Sequence, residues 1–279
     1  MKNALVVLNY NDYETTASFL NKIKDYKILD LIVVVDNNST DNSYKELLKI
    51  KNGKIDIIKA FKNGGYGYGN NIGIKHAIEK LGSCNIIVSN PDIVVKENVI
   101  KKLFKDLNKD NKYAIVGPVI NTHGKISRAF KITNGFEEMI ISIPKIGTKL
   151  KEKIIAYKDS YYKEELNEVD CVSGCFFAFK SDVFEKINFY DEGLFLYYEE
   201  MVISKKVKEL GYKVMFDNTV EIIHNHSVTI DKNHSKLNKY RILNESKMYY
   251  LNNYTNAIKL TKKLIKIFSK IMIKHYNNK

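Results

Sequence analysis

The chain has no tryptophan and three cysteines. It also has no apolar run near the roughly 20 residues that a membrane-spanning helix needs. Three cysteines cannot all pair, which excludes a disulfide framework. Cys171 and Cys175 lack a second close pair to complete a zinc site. Cys84, Cys171 and Cys175 therefore read as reduced core thiols of a cytoplasmic protein. Met1-Lys2-Asn3 leads at once into the apolar stretch Ala4–Leu8, so no signal peptide is expected. Two nucleotide motifs are missing as well. Gly65 and Gly67 would need a third glycine at position 70 for G-x-G-x-x-G, and that residue is Asn70. No Gly-Lys-Ser/Thr follows to make a P-loop. These absences disfavour a dinucleotide-dependent dehydrogenase.

In the 279 residues, 44% are apolar and 28% charged, ordinary for a globular protein, but the formal charge of +13 is not. Such a charge fits an anionic partner: nucleic acid, an acidic membrane or a phosphorylated substrate. A lysine- and asparagine-rich genome would give it too. Ala4–Leu8, Leu31–Val35, Ile55–Ala60 and Asn85–Val88 read as buried strands. Thr15–Asp25, Asn42–Ile50 and about Ile72–Leu81 read as helices between them. This alternation predicts an α/β fold, a mostly parallel central sheet flanked by helices. Beyond about Lys112 the pattern changes. Ala114–Gly117, Val172–Lys180, Tyr212–Phe216 and Val220–Ile223 read as strands, and Ser181–Lys186 and Glu199–Leu210 as helices. Residues 121–168 give no clear pattern, and the chain from Lys236 onward reads as basic helix.

In a parallel sheet, ligands bind beyond the carboxyl ends of the strands. The second strand ends there in Asp36-Asn37-Asn38-Ser39, and the fourth in Ser89-Asn90-Pro91-Asp92. Asn-Pro favours a turn. Directly after a buried strand, Asp92 also offers a carboxylate for a hard divalent cation on a diphosphate. His224, at the end of a later strand, could complete that site, whereas His226 reads as structural. The glycines of Asn63-Gly64-Gly65-Tyr66-Gly67-Tyr68-Gly69 would let backbone N–H groups approach a phosphate, or form a surface turn. Glu199-Glu200 opens a helix, where the dipole favours acids whatever their role. Adjacent carboxylates beside Tyr197 and Tyr198 can also have one pKa raised, which suits a general base.

With these motifs in order, the chain from about Leu5 to Ser227 resembles the inverting family 2 glycosyltransferases of the GT-A fold. It looks most like the bacterial rhamnosyltransferase-like branch. The matching stretches are Asn9-Tyr10-Asn11, Val35–Asp41, Asn63-x-Gly65-Tyr66 through Asn71-x-Gly73, Asn90-Pro91-Asp92, Val172–Phe176 and Asp191-Glu192 through Tyr198-Glu199-Glu200. The resemblance implies that residues 1–112 form the nucleotide-sugar half, 113–230 the acceptor half and 231–279 a basic helical extension. It assigns nucleotide-sugar binding to Asn9, Tyr10, Asn11, Asp36, Asn38, Asn63, Gly65, Tyr66, Asn71 and Asn90. It gives Mg²⁺ or Mn²⁺ binding to Asp92, joined by His224, and general-base catalysis to Glu200 or Glu199, with Glu200 favoured. The implied donor is a UDP- or dTDP-sugar. The implied acceptor is a glycan or lipid-linked oligosaccharide of capsule, lipopolysaccharide or a similar surface polymer, and nucleic acid is not an expected partner.

Three positions depart from the family pattern. Asn90 replaces the first acid of Asp-x-Asp, Glu200 stands where many relatives have Asp, and Val202 replaces a further acid. Without tryptophan the chain cannot carry the Gln-x-x-Arg-Trp motif of processive synthases, so it is expected to add a single sugar. From Ile258 to Ile273 apolar residues and lysines alternate at helical spacing, as expected for a helix lying on the anionic inner face of the plasma membrane, or packed on the protein. The competing functions are a nucleotidyltransferase and a catalytically inactive glycan- or membrane-binding relative. The first is disfavoured because Asn9-Tyr10-Asn11-Asp12 stands where a Gly-rich basic loop would be.

Overall fold

The computed structural model describes residues 1–225 and 235–277. The reading of His226 falls outside them. The first half alternates as the sequence predicts: β1 (Lys2–Asn9), α1 (Tyr13–Ile23), β2 (Leu31–Asp36), α2 (Ser43–Leu48), β3 (Ile55–Lys59), α3 (Tyr66–Leu81) and β4 (Cys84–Ser89). A short β5 (Ile93–Val94) and α4 (Glu97–Leu107) follow. Then come β6 (Tyr113–Thr122), β7 (Lys125–Ser127), α5 (Gly135–Ser142), α6 (Gly147–Ile155), β8 (Leu166–Val169), β9 (Phe176–Lys180) and α7 (Ser181–Lys186). The described chain closes with α8 (Glu199–Glu209), β10 (Lys213–His224), α9 (Lys236–Asn253) and α10 (Lys259–Asn277).

One sheet runs through both halves in the order β3-β2-β1-β4-β9-β6-β10-β5. Strands β3, β2, β1 and β4 are parallel, and β10 is parallel to β6. β9 runs antiparallel between β4 and β6. The period-2 geometry of a strand splits the apolar runs between two cores. Ala4, Val6, Val33, Val35, Ile86 and Val88 face the layer holding Ile74, Phe184 and Ile203. Leu5, Val7, Ile32, Val34 and Ile87 face the layer holding Phe19, Leu20, Leu103 and Phe104. Both faces are covered, so these strands read as unbroken hydrophobic runs.

Register decides what meets at the sheet's carboxyl edge. Asn9 pairs with Asp36 across β1 and β2. Ser89 pairs with Phe176, so the end of β4 and the beginning of β9 lie side by side. His224 pairs with Ile93, beside Asp92. Four segments far apart in sequence thus reach one edge: 9–11, 36–40, 90–92 and 173–175, with His224 alongside.

The structure differs from the sequence reading in four places. Helix α3 begins at Tyr66, not Ile72, and takes in the glycine run. A Cβ at Gly69 would stand 2.3 Å from Leu8 and one at Gly73 2.5 Å from Val6. These two glycines let the helix lie close on β1, so they serve packing rather than a phosphate cradle. Lys213–His224 is one strand interrupted by a register shift between Asp217 and Glu221, not two strands. Residues 121–168, unreadable in sequence, supply β7, α5 and α6, where an Asn134–Glu137 capping box starts α5. Helix α4 went unread although Val99, Ile100, Leu103, Phe104 and Leu107 give it a buried face.

The C-terminal helices differ from each other. Tyr250 and Leu251 of α9 are fully buried, and Tyr250 joins a small core with Leu194, Met201 and Val202. α10 packs on α5 and α9 and buries Thr261 and Ile265. Leu260, Ile267 and Ile271, spaced at i, i+7 and i+11, stay exposed on its outer side. No described helix is long and apolar enough to cross a membrane.

Candidate active site

At the ends of β1 and β2, the register sets Asn9 against Asp36, and Asn9 Nδ2 donates to Asp36 Oδ2 at 2.8 Å. Ser39 Oγ donates to the same oxygen at 2.6 Å, and Ser39 N donates to Oδ1 at 2.9 Å. Asn9 and Asp36 are fully buried, so they fix the shape of the loop from beneath. Asn11 and Asn38, both partly exposed and both in the left-handed region that Asn tolerates, form its surface with Tyr10. Asn11 Oδ1 accepts from Thr40 N at 2.8 Å, tying the two strand ends together.

Asn63 Oδ1 accepts from Asn37 Nδ2 at 2.9 Å and from Gly65 N at 3.2 Å. Gly65 has φ +93°, and a Cβ there would stand 2.3 Å from the Phe195 carbonyl oxygen, so only glycine fits. Tyr66 N donates to that Phe195 oxygen at 2.8 Å, and its hydroxyl donates to Gly174 O at 2.8 Å. Asn71 is buried and donates to Tyr190 O and Glu192 Oε1. Its amide fastens α3 to the 190–192 segment.

Asp92 and His224 meet at the far end of the same edge, with 5% and 12% of their side chains exposed. Asp92 Oδ1 stands 3.2 Å from His224 Nε2. Adjacent ligands of an octahedral cation at ~2.1 Å are about 3 Å apart, so the pair fits a shared divalent ion. Burial works against charge on His224. The neighbouring Asp92 and the Cys175 thiol outweigh it and push the imidazole up to about 10. Asn90 is the partly exposed residue between β4 and this pair, and its N donates to Cys175 O at 2.8 Å.

A second acidic cluster, Asp106, Glu165 and Asp217, lies elsewhere. Lys102 Nζ already fills it, at 2.7 Å from Asp106 and 2.9 Å from Asp217 and touching Glu165. These acids hold α4 to the irregular part of β10.

Glu199 and Glu200 open α8 behind two consecutive residues with positive φ, Tyr197 (76°) and Tyr198 (73°). Each such bulky residue costs about 1–3 kcal/mol, and strain of this kind gathers at functional sites. Glu199 is buried and its Oε1 has no hydrogen-bond partner. Burial, and then the charge of Glu200, push it up to about 8. Glu200 is partly exposed. Burial raises its pKa, while its own backbone N–H and the charge of Lys151 on α6 oppose the rise. A Cβ on Gly174 would stand 3.6 Å from the Glu200 carboxylate. The Val172–Phe176 segment therefore joins the two stations. Gly174 touches Glu200 and Tyr66, and Cys175, next in the chain, touches Asn90 and His224.

The model of the family "Glycosyl transferase family 2" matches residues 4–188. The chain belongs to glycosyl transferase family 2. It is 25% identical over 228 residues to the low-salt glycan biosynthesis hexosyltransferase Agl10 of Haloferax volcanii, covering 81% of this chain and 67% of that protein. It is 27% identical over 221 residues to the dTDP-rhamnosyl transferase RfbF of Shigella flexneri, covering 78% and 67%. The fold resembles GalNAc-T7, solved with UDP, GalNAc and Mn²⁺, at a TM-score of 0.66 and 17% identity. That match covers 96% of this chain but 54% of the other. The mannosyltransferase PcManGT from Pyrobaculum calidifontis, solved with GDP-Man and Mn²⁺, matches at 0.59 and 12%, covering 98% and 69%. This family 2 glycosyltransferase has the GT-A fold, with a mixed central sheet in which β9 runs antiparallel to β4 and β6.

The sequence reading named Gly174, Cys175 and Asp191 only within matching stretches, without the link that the first two make, and did not single out Tyr249 and Tyr254. The Val-Ser-Gly-Cys-Phe stretch carried a signal for the first two, through its place before a buried strand. Nothing local marks the tyrosines.

The glutamate pair gives a test that separates its members. A raised Glu199 pKa means that its stabilising contribution is complete below the ordinary glutamate pKa and is lost as pH rises through about 8. Glu199→Gln mimics the protonated form. Its melting temperature should fall less than the parent's between about pH 6 and about pH 9. Transfer should survive within several-fold. A variant as inactive as Glu200→Gln would assign the base to Glu199 instead.

Proposed function

We propose that this glycosyltransferase moves one sugar from a UDP- or dTDP-sugar to a hydroxyl of a glycan or lipid-linked oligosaccharide, with inversion, in the assembly of a surface polysaccharide such as capsule or lipopolysaccharide. The observation that supports this reading is the 172–176 segment, which reaches the Glu200 carboxylate through Gly174 and the Asp92–His224 pair through Cys175. Residues 1–112 serve the donor and 113–230 the acceptor.

Asn9 and Asp36 hold the turn on which base and ribose rest, and Tyr10, Asn11, Asn38, Asn63, Gly65, Tyr66, Asn71 and Asn90 complete or brace the donor side. Asp92 and His224 would hold Mg²⁺ or Mn²⁺. When bound there, the divalent cation neutralises charge on the departing nucleoside diphosphate. Glu200 takes the proton from the acceptor hydroxyl. The oxygen attacks the anomeric carbon from the face opposite the diphosphate, and the bond to the diphosphate oxygen breaks, inverting the centre. Glu199, protonated and buried behind it, keeps a second charge away from the base. The name of RfbF supports a dTDP-sugar, and the Mn²⁺ in both solved neighbours supports a cation.

The test is release of nucleoside diphosphate from UDP-, dTDP- and GDP-sugars with acceptor glycan, with and without Mn²⁺. Metal-dependent release from a UDP- or dTDP-sugar is expected. Pyrophosphate from a nucleoside triphosphate would instead make the protein a nucleotidyltransferase, and silence across the panel an inactive relative.

The outer row Leu260, Ile267 and Ile271, flanked by exposed Lys259, Lys263, Lys266, Lys270 and Lys274, supports a peripheral position on the anionic inner face of the plasma membrane. The full chain should bind anionic vesicles, and binding should fade with salt. A chain ending at Asn256 keeps α9 and drops α10. Equal vesicle binding by that shorter chain would refute the membrane contact.

A further inference from the structure

The loop that carries the base, residues 191–198, is held from outside by α9 and by the chain just beyond it. At its start, Asp191 accepts from Tyr249 Oη at 3.1 Å and from Tyr254 Oη at 2.5 Å, while Oδ1 also takes Gly193 N at 2.9 Å. Gly193 lies flat on the Tyr249 ring, where a Cβ would stand 2.2 Å from the hydroxyl oxygen. In the middle, Ser246 Oγ donates to Leu196 O at 2.7 Å. At its end, the Tyr198 ring packs on Tyr250 at 5.2 Å, and its hydroxyl donates to Glu138 of α5 at 2.7 Å. Tyr254 closes the clamp on the far side, where its carbonyl accepts from Lys205 of α8.

The same loop faces the donor side, since the Phe195 carbonyl receives Tyr66 N and crowds Gly65. It therefore couples the start of α3 to the start of α8. Tyr197 and Tyr198 hold a backbone conformation that bulky residues avoid, so something outside the loop must over-determine it. The contacts above are what does so.

We propose that Tyr249 and Tyr254 are positioning residues: through Asp191 they clamp the 191–198 loop so that Glu200 is held at the acceptor hydroxyl. This rests on the reading of Glu200 as the base. The C-terminal segment is then part of the catalytic unit. Both act through the loop.

The test compares the parent protein with a Tyr249→Phe/Tyr254→Phe double variant, which keeps both rings and removes both donors. Two readouts are needed. The first is amide hydrogen exchange, which requires no substrate. The double variant should exchange faster at residues 194–200, with exchange in β1, β2 and β4 unchanged. The second is steady-state transfer at a temperature where circular dichroism shows both proteins folded. There kcat should fall by about tenfold or more, because a small misplacement of a catalytic group is costly. The donor KM and the affinity for UDP with Mn²⁺ should stay within about twofold, since the donor side is braced from β1 and β2 as well. Should the double variant not fold, Ser246→Ala and the single Tyr249→Phe carry the same comparison. Unchanged exchange at 194–200, or accelerated exchange with unchanged kcat, would overturn the proposal. A parent protein that transfers nothing, yet shows the predicted exchange difference on mutation, would refute the Glu200 reading and leave the clamp standing.

Discussion

Glu200→Gln is expected to lower kcat by about 10²–10⁴-fold, the range for removing a general base, while UDP and Mn²⁺ bind as in the parent. Glutamine keeps the shape and the first-turn position of the side chain and loses only the ability to take a proton. The position makes the effect large. Glu200 is the partly exposed member of the pair, beside Gly174, whereas Glu199 is buried beneath it. The raised pKa matters as well. A carboxylate lifted by burial is a better proton acceptor near neutral pH than a solvated one. Activity in the parent should therefore rise with pH through the titration of the pair, and that limb should vanish in Glu200→Gln. Single-turnover assays with saturating donor would read this directly. A variant with near-parental kcat would remove Glu200 from the mechanism.

Asp92→Asn should cost about 10²–10³-fold in transfer, comparable to losing one preorganised electrostatic contact in a dry site. In this variant the Mn²⁺ dependence should be lost, and UDP should bind equally with and without the ion. Two features of the pair make it sensitive. First, Asn90 contributes no charge, so Asp92 is the carboxylate of this turn. Second, Asp92 and His224 are both largely buried, so little water competes for the ion. His224→Ala should weaken Mn²⁺ less, because the imidazole must give up its proton before it can bind the ion, and the substitution leaves the Asp92 charge in place. Mn²⁺ binding followed by electron paramagnetic resonance separates loss of the ion from loss of the fold. Parental Mn²⁺ affinity in Asp92→Asn would move the cation elsewhere.

Much of the first half was legible because its strands are covered on both faces and so appear as unbroken β-branched runs. The candidate site was legible where a motif follows such a strand, as at Asp36 and Asp92. Three things were not readable. The close packing of Gly69 and Gly73 on β1 looks in sequence like a ligand loop, because both uses need a missing Cβ. Residues 121–168 fold into short helices against the 191–198 loop and α9–α10, so their order comes from contacts absent locally. Glu138 is an example: it is buried and bonds Thr133, Tyr198 and Lys247. Finally, the roles of Tyr249 and Tyr254 depend on Asp191, some 60 positions earlier. Helical spacing alone makes them two aromatic residues among many.

Anomalous scattering from crystals of the full-length protein grown with UDP and Mn²⁺ tests the account most directly. A single strong peak is expected at about 2.1 Å from Asp92 Oδ1 and His224 Nε2, with UDP reaching from it toward Asn11 and Asn38 and the Glu200 carboxylate facing the same cleft. A peak among Asp106, Glu165 and Asp217, or a nucleotide lying away from the 172–176 segment, would contradict it.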